Sequence, residues 1–203
     1  LDLRGNPGGI LQQAVDVCGL FMDSAFICAV KEGDALYPFW NMKSKKIWNG
    51  PLVVLIDRTS ASASEIVAQA LQDWGRALVI GDDRTFGKGS FQMLSFPADN
   101  ASTIDPRGEY KISRGRYYTA SGKSPQLTGV HSDIEVCSPY RFLDIGETYS
   151  SYPLSNESIP SYFESEYASP DDQEKPFSLR EKIIKFFSRA ATTSPQFQKK
   201  QDL

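Results

Sequence analysis

The strongest constraint on the fold is a pair of short apolar runs separated by an amphipathic stretch. The first run, Leu52–Ile56, contains no polar residue, which is typical of a strand covered on both faces. From about Ala63 to Trp74 the apolar residues follow one helical stripe, and Gly75 predicts the end of that helix. The second run is Ala77–Ile80. Strand, helix and strand in this order predict a βαβ unit with parallel strands and a right-handed crossover.

The start of the chain continues the same pattern. Leu1–Leu3 predicts the end of a buried strand, and Ile10–Phe21 has apolar residues at helical spacing after a glycine-rich turn. In parallel sheets the loops at the carboxyl ends of the strands lie at one edge, where ligands bind. We therefore expect three loops to meet there: Asn6–Gly9, Thr59–Ser62 and Asp82–Gly89.

The fold class that we expect is α/β, with parallel βαβ units and additional strands in a core that covers residues 1–140. An extension would follow at residues 141–203. The additional core elements are strands at Ala25–Val30, Ser90–Phe96, Tyr110–Thr119 and Ile134–Cys137, with a loop or an edge hairpin between Glu32 and Gly50.

The extension has two parts of opposite charge. Gly146–Glu174 carries seven acidic residues and no basic one, which predicts an extended or partly disordered connection. Lys175–Leu203 carries seven basic residues against two acidic ones. Within it, Ser178 and Glu181 have the spacing of a capping box, which predicts a helix from there to about Ala191.

Composition excludes several kinds of chemistry. The chain has a single histidine, His131, and three cysteines, which are too few for a zinc site built from several such ligands. Three cysteines cannot all pair, so the chain is not a disulfide scaffold. No apolar run approaches the ~20 residues of a membrane-spanning helix, and no basic block indicates nucleic acid. Because the first residue is not methionine, we expect the chain to begin inside a larger protein.

Ser62 is the first candidate for chemistry, and it has two interpretations. It lies where the first strand of the βαβ unit leads into the helix, and Ser62 with Glu65 fits a capping box that serves only the helix. Alternatively, Ser62 is a nucleophile. The free amides at a helix N-terminus are suited to hold an oxyanion at a carbonyl that the serine attacks.

A serine nucleophile needs a base, and Lys88 is better placed than His131. It lies between Gly87 and Gly89, directly after the second strand of the same βαβ unit, so both side chains are expected at one edge. Lysine side chains are protonated at pH 7, and forming the neutral base costs roughly 4–5 kcal/mol, which an apolar pocket can reduce. The alternatives are a solvated loop lysine or a phosphate-binding loop, although the P-loop pattern is absent.

Further residues complete the predicted site. Gln92 can accept a hydrogen bond from the lysine without adding charge, whereas a carboxylate such as Asp73 would favour protonated lysine. We therefore prefer Gln92 and keep Asp73 as the charged alternative. A backbone amide of Gly8 or Gly9, together with that of Ala63, would form an oxyanion hole. Each of these residues also has a purely structural interpretation.

Taken together, these motifs resemble one family. The segments Leu1–Gly9, Ser60–Ile66, Gln72-Asp73, Thr85–Gly89 and Gly129–Ile134 occur in the order found in the bacterial tail-specific, or carboxyl-terminal processing, serine proteases. The resemblance covers about residues 1–137. It implies a crotonase-like α/β core in which Ser62 is the nucleophile, Lys88 the general base and Gln92 its helper. It also implies that the amides of Gly8 and Ala63 form the oxyanion hole.

The resemblance also implies a biological role. Such enzymes cleave partly unfolded or tagged polypeptides near their C-termini, usually in the bacterial periplasm, and they use no metal or organic cofactor. Their substrate-capturing PDZ domain would lie upstream of this chain. Two alternative functions remain open at this point. In these alternatives, the chain is either a crotonase-type enzyme that acts on acyl-CoA, or an inactive protease fragment that serves as a binding module. The basic helix that starts at Ser178 has two further options: it packs against the acidic stretch before it, or it docks on another subunit of a homo-oligomer.

Overall fold

The computed structural model describes residues 1–42, 45–95, 110–136, 138–165 and 168. Within these residues, seven strands form two sheets, and two α-helices pack against them. The elements in chain order are α1 (Leu11–Cys18), β1 (Ala25–Glu32), β2 (Ala35–Asn41), β3 (Val53–Ile56), α2 (Ala63–Asp73), β4 (Leu78–Gly81), β5 (Ser90–Ser95), β6 (Tyr110–Thr119) and β7 (Ile134–Glu135), followed by short 3₁₀ helices at Pro139–Phe142, Glu147–Tyr149 and Tyr162–Glu164.

The predicted βαβ unit is confirmed. Strands β3 and β4 pair in parallel, β7 pairs in parallel on the other side of β4, and α2 connects the first two. The α2 stripe packs into the core, where Ile66 and Leu71 are fully buried. The strand β3 is covered less completely than its sequence predicts. Val54 and Ile56 are buried, but Val53 is 38% exposed because alternate residues of a strand point to opposite faces.

The start of the chain forms less regular structure than expected. Leu1–Leu3 lies beside β3 and exchanges backbone hydrogen bonds of 2.9 Å with Leu55, but it makes only an isolated parallel bridge. The helix predicted from Ile10 to Phe21 is shorter, because Gly19 ends α1 directly after Cys18. The loop before α1 is therefore held against the carboxyl end of β3, as the pattern predicts.

The second sheet is antiparallel, with the strand order β2-β1-β6-β5. It includes the strands predicted at Ala25–Val30, Ser90–Phe96 and Tyr110–Thr119, whereas the strand predicted at Ile134–Cys137 pairs with β4 in the first sheet. For the stretch after Glu32, where a loop or an edge hairpin is expected, β1 and β2 form a hairpin at the edge of the sheet. The strand β6 lies inside the sheet, where Tyr117 and Tyr118 are almost fully buried. A register shift between Phe91 and Gln92 interrupts the regular pairing of β5 with β6, and Phe91 and Gln92 both border the pocket described below. This sheet therefore forms one wall of the site described below.

The described part of the acidic stretch has short 3₁₀ helices as its helical structure and is attached to the core. The backbone N–H groups of Ile159 and Tyr162 donate to Gly122 O and Ala120 O, both at 2.9 Å. The Tyr162 ring stacks on Phe26 with ring centres 4.8 Å apart. We call residues 146–165 the strap. The helix predicted from Ser178 to Ala191 and the residue Cys137 lie outside the described residues.

Replacing Tyr162 by alanine should destabilise the fold by about 1–3 kcal/mol, because it removes a half-buried ring from an aromatic cluster. Trp40 and Trp74 belong to this cluster, with ring centres 5.4 and 6.0 Å from Tyr162. Urea denaturation followed by tryptophan fluorescence therefore measures the change where it occurs. Tyr152→Ala is the matched control, because that side chain is 96% exposed. Equal midpoints for the two variants would contradict an anchoring role for Tyr162.

Candidate active site

A pocket of about 510 Å³ lies at the carboxyl edge of the parallel sheet, between the loop before α1, the start of α2 and the strand β5. Five of the residues predicted for the site line it: Gly8, Ser62, Ala63, Lys88 and Gln92. The remaining lining residues are Pro7, Gly9, Ile10, Leu11, Ile66, Ser90, Phe91, Lys111 and Tyr117. The three loops expected to meet at this edge therefore do meet there, and two lysines face the same space as Ser62.

The backbone at Ser62 forms a sharp turn into α2. Its φ of +57° and ψ of −116° are uncommon for a residue with a side chain. The preceding turn is fixed by the buried Asp57 carboxylate, whose Oδ1 accepts from the N–H groups of Thr59 at 2.9 Å and Ser60 at 3.0 Å. Asp57 also accepts from the Gly5 N–H at 3.1 Å, which ties the first loop to this one. The Ser62 side chain is consequently held at the mouth of the pocket.

The capping interpretation of Ser62 is correct in part. Ser62 and Glu65 form a capping box, and its firm half is the Glu65 carboxylate, which accepts from the Ser62 backbone N–H at 2.7 Å. The same box places the Ser62 side chain at the backbone N–H of Glu65, without a hydrogen bond of regular geometry. The cap therefore holds the Ser62 backbone mainly through the Glu65 carboxylate.

Glu65 does more than cap a helix. Its side chain is completely buried and accepts hydrogen bonds from four donors. Besides Ser62 N–H, these are Thr85 Oγ1 at 2.5 Å, Gly87 N–H at 2.7 Å and Lys88 N–H at 2.9 Å. Burial raises the pKa of Glu65 to about 7, although the four hydrogen bonds favour the carboxylate and oppose that shift. One carboxylate thus joins the Ser62 turn to the loop that carries Lys88.

The Lys88 loop is also held from its other side. Gly89 N–H donates to the buried Gln126 Oε1 at 2.8 Å, and Leu127 N–H donates to Gly87 O at 2.8 Å. From the strap, Glu147 N–H donates to Phe86 O at 2.9 Å. The backbone of this loop is therefore fixed on both sides, and the half-buried Lys88 side chain borders the pocket.

The predicted oxyanion donors differ in this structure. The Ala63 N–H has no hydrogen-bond acceptor among the described residues and borders the pocket. The Gly8 N–H also lies at the pocket, but it donates to the Asn6 side-chain oxygen at 3.0 Å. An incoming oxyanion would meet Ala63 N–H directly and would have to share or replace the Asn6 contact at Gly8. Gln92 lies at the mouth with an exposed side chain.

Two residues considered from the sequence are not brought into the pocket. The Asp73 carboxylate accepts from Thr119 Oγ1 at 2.6 Å, Ser121 N–H at 2.9 Å and Gln69 Nε2 at 2.8 Å. These contacts join the C-terminal end of α2 to the end of β6. The Asp73 carboxylate therefore lies at that junction and does not line the pocket. His131 is exposed and does not line this pocket, and its carbonyl oxygen accepts from Gln72 Nε2 at 2.9 Å.

Three contributors were not singled out from the sequence. The spacing of Glu65 from Ser62 indicates a helix cap in the sequence, but it does not indicate a role at the Lys88 loop. Tyr117 and Lys111 come from β6, and no local motif distinguishes them from other residues of a strand. Their approach to the pocket depends on the antiparallel register that places β6 beside β5.

The fold and the pocket together define a class of α/β protein in which a serine at a helix N-terminus and a lysine from the next loop share one cavity. A family model described as peptidase family S41 matches residues 1–136. The chain therefore belongs to peptidase family S41. Within the part of the chain that the structure describes, no helix has the length and apolar character needed to cross a membrane.

Similar proteins agree with this assignment. The chain is 39% identical over 161 residues to a carboxy-terminal-processing protease of Bartonella bacilliformis, a match that covers 76% of this chain and 33% of that protein. It is 35% identical over 165 residues to a tail-specific protease of Haemophilus influenzae, covering 79% of this chain and 23% of that protein. The solved structure of a photosystem II D1 C-terminal processing protease is similar, with a TM-score of 0.56 and 31% identity over 67% of this chain and 33% of that one. The chain thus spans a third or less of these relatives.

Proposed function

We propose that the full-length protein is a serine endopeptidase that cleaves polypeptides near their C-termini through a Ser62–Lys88 pair. The observation that supports this most is the common pocket. Ser62 and Lys88 come from different loops, yet they border one cavity together with the Ala63 amide, which has no acceptor in the part of the chain that the structure describes. A nucleophile, a basic side chain and an oxyanion donor are the three parts that acyl transfer requires.

The reaction follows from these parts. Lys88, in its neutral form, takes the proton of the Ser62 hydroxyl while Oγ attacks the scissile carbonyl carbon. The amide of Ala63, joined by that of Gly8, stabilises the negative oxygen. The tetrahedral intermediate then loses the amine, which receives the proton from Lys88. Water attacks the resulting ester with Lys88 again as base, which releases the carboxylate product and restores the Ser62 hydroxyl.

The substrate class rests on the family. The similar proteins carry the names tail-specific and C-terminal processing protease, and we extend to this protein the capture of polypeptides by their C-terminal tails and work in the bacterial periplasm. In this proposal Gln92 orients the Lys88 amine. The reaction uses only side chains and backbone amides of this chain, without a metal or an organic cofactor. Membership of a peptidase family favours this reading over acyl-CoA chemistry and over a binding module.

Active-site labelling tests the proposal. A fluorophosphonate probe should modify the full-length protein once, on the peptide that contains Ser62. Ser62→Ala should remove both this label and the cleavage of an unfolded substrate protein. Ser64→Ala is the matched control, because Ser64 is the next serine along the chain, is buried, and does not line the pocket. Cleavage that survives in the Ser62→Ala variant would refute the proposal.

A further inference from the structure

Single oxygen atoms bridge the backbones of Ser62 and Lys88 on two sides. On the N–H side, Glu65 Oε2 accepts from Ser62 N–H at 2.7 Å and from Lys88 N–H at 2.9 Å. The two nitrogens are therefore no further apart than two hydrogen bonds laid end to end. The other carboxylate oxygen, Oε1, holds the same loop through Thr85 and Gly87.

The carbonyl side has a second bridge. The Tyr117 hydroxyl donates its single hydrogen to Lys88 O at 2.5 Å and shares it with Ser62 O at 3.1 Å. Tyr117 comes from β6, and its ring is almost fully buried. Burial and the nearby Glu65 carboxylate raise the pKa of Tyr117 well above its ordinary value, so the hydroxyl is protonated and can donate at neutral pH.

We propose that Glu65 and Tyr117 are positioning residues, which set the separation of the Ser62 hydroxyl and the Lys88 amine by binding the two backbones from opposite sides. This inference rests on the proposed Ser62–Lys88 chemistry. Neither residue needs to touch the substrate to act in this way. Proton transfer from the serine requires the two groups within hydrogen-bond reach, and a misplacement of about 1 Å can cost about 10²-fold in rate.

The physical reason for such bridges is the separate origin of the two groups. Ser62 sits on a turn with an unusual backbone conformation, and Lys88 sits on a loop between two glycines. Glycines give that loop many alternative conformations, so external hydrogen bonds must select one. Glu65 supplies four acceptor contacts from inside α2, and Tyr117 supplies the donor that the carbonyl groups need. The two bridges therefore use opposite hydrogen-bonding character and cannot replace one another.

Tyr117→Phe is the sharpest test, because it removes one oxygen and keeps the buried ring. In the full-length protein we expect kcat for peptide cleavage to fall about 10-fold with KM unchanged within about twofold. Fluorophosphonate labelling of Ser62 should slow by a similar factor. Tyr118→Phe is the matched control in the same strand, since its hydroxyl contacts Glu157 at 3.4 Å and does not reach the pocket. That variant should retain the parent kcat.

Glu65→Gln tests the other bridge. An amide presents a donor to groups that are themselves donors, so kcat should fall about 10²-fold. Thr85→Val provides a milder change on the same carboxylate if Glu65→Gln does not fold, and it should lower kcat several-fold. An unchanged kcat in Tyr117→Phe, or a loss confined to KM, would overturn the inference.

Hydrogen–deuterium exchange separates this inference from the proposed function. Peptides covering residues 60–66 and 84–92 should exchange faster in Tyr117→Phe than in Tyr118→Phe, whatever reaction the pocket performs. Faster exchange together with full activity in Ser62→Ala would refute the proposed chemistry and leave the bridges in place. Unchanged exchange in both peptides would refute the bridging role itself.

Discussion

Replacing Lys88 by methionine should lower kcat for peptide cleavage by at least about 10³-fold, while KM stays within about twofold. Methionine keeps much of the length of the lysine side chain. It removes the amine, and with it the ability to take and return a proton. Because the backbone contacts of residue 88 to Glu65 and Tyr117 do not involve its side chain, the loop should keep its position. Steady-state cleavage of an unfolded substrate measures both constants.

Lys88→Arg refines this experiment. Arginine preserves positive charge but cannot act as a base near neutral pH, so it should be about as inactive as methionine. Lys123→Met is the matched control, because Lys123 lies outside the pocket and its loss should leave cleavage unchanged. Activity in Lys88→Arg comparable to the parent would show that position 88 contributes charge and not proton transfer.

Replacing Gly8 by alanine should lower kcat/KM by about 10²–10³-fold. Gly8 has a φ of +99°, and a Cβ added there would lie 2.6 Å from Ala61 O, 2.8 Å from Ala63 N and 2.8 Å from Ser62 Cβ. These are backbone atoms and the first side-chain carbon of the proposed nucleophile, so the turn itself would have to move. Alanine would therefore disturb the serine and both oxyanion amides together. Cleavage assays and the rate of Ser62 labelling measure this effect.

Gly5→Ala is the matched control for this prediction. Gly5 belongs to the same loop and also has a positive φ, +69°, but a Cβ there would meet nothing within 4 Å. Its replacement should cost about 1 kcal/mol of stability through backbone strain and leave cleavage within about twofold. If Gly5→Ala and Gly8→Ala lose activity equally, the cause is loop strain and not crowding of the Ser62 turn.

The sequence predicted the βαβ unit and the edge at which the pocket lies, because both depend on local patterns and on a general rule for parallel sheets. The helix α2 illustrates why. One short segment contains its apolar stripe, its start after Ser62 and its end near Gly75. The grouping of Ser62 and Lys88 in one pocket followed from the same rule. Their chemical roles remain predictions.

Long-range partners could not be predicted in the same way. Tyr117 reaches Ser62 and Lys88 only through the register of the antiparallel sheet, and nothing in its own neighbourhood reveals that. Glu65 illustrates a different difficulty. A capping box is sufficient to explain its spacing from Ser62, so nothing in the local pattern indicates contacts with a loop some twenty residues further on.

The acidic stretch shows that the composition of a segment does not predict which residues of the core it contacts. Low hydrophobicity predicts an extended or partly disordered connection, and the strap contains only short 3₁₀ helices and an isolated bridge among its described residues. Its attachment depends on a few aromatic side chains, chiefly Tyr162 and Phe163, whose partners lie on β1, on β2 and at Trp74, the residue after α2. The average composition of a segment does not reveal contacts that depend on two or three aromatic side chains.

The strap has a consequence for the order in which the protein becomes functional during synthesis. Glu147 supplies the hydrogen bond to Phe86 O, and Leu154 O accepts from the Gln126 amide that holds Gly89. These partners leave the ribosome well after the Lys88 loop that they fasten. A nascent chain that already contains Ser62 and Lys88 therefore lacks part of the support for its lysine loop. The Lys88 loop therefore receives its last hydrogen bonds only after the strap has been translated, although the strap contributes no residue to the pocket walls.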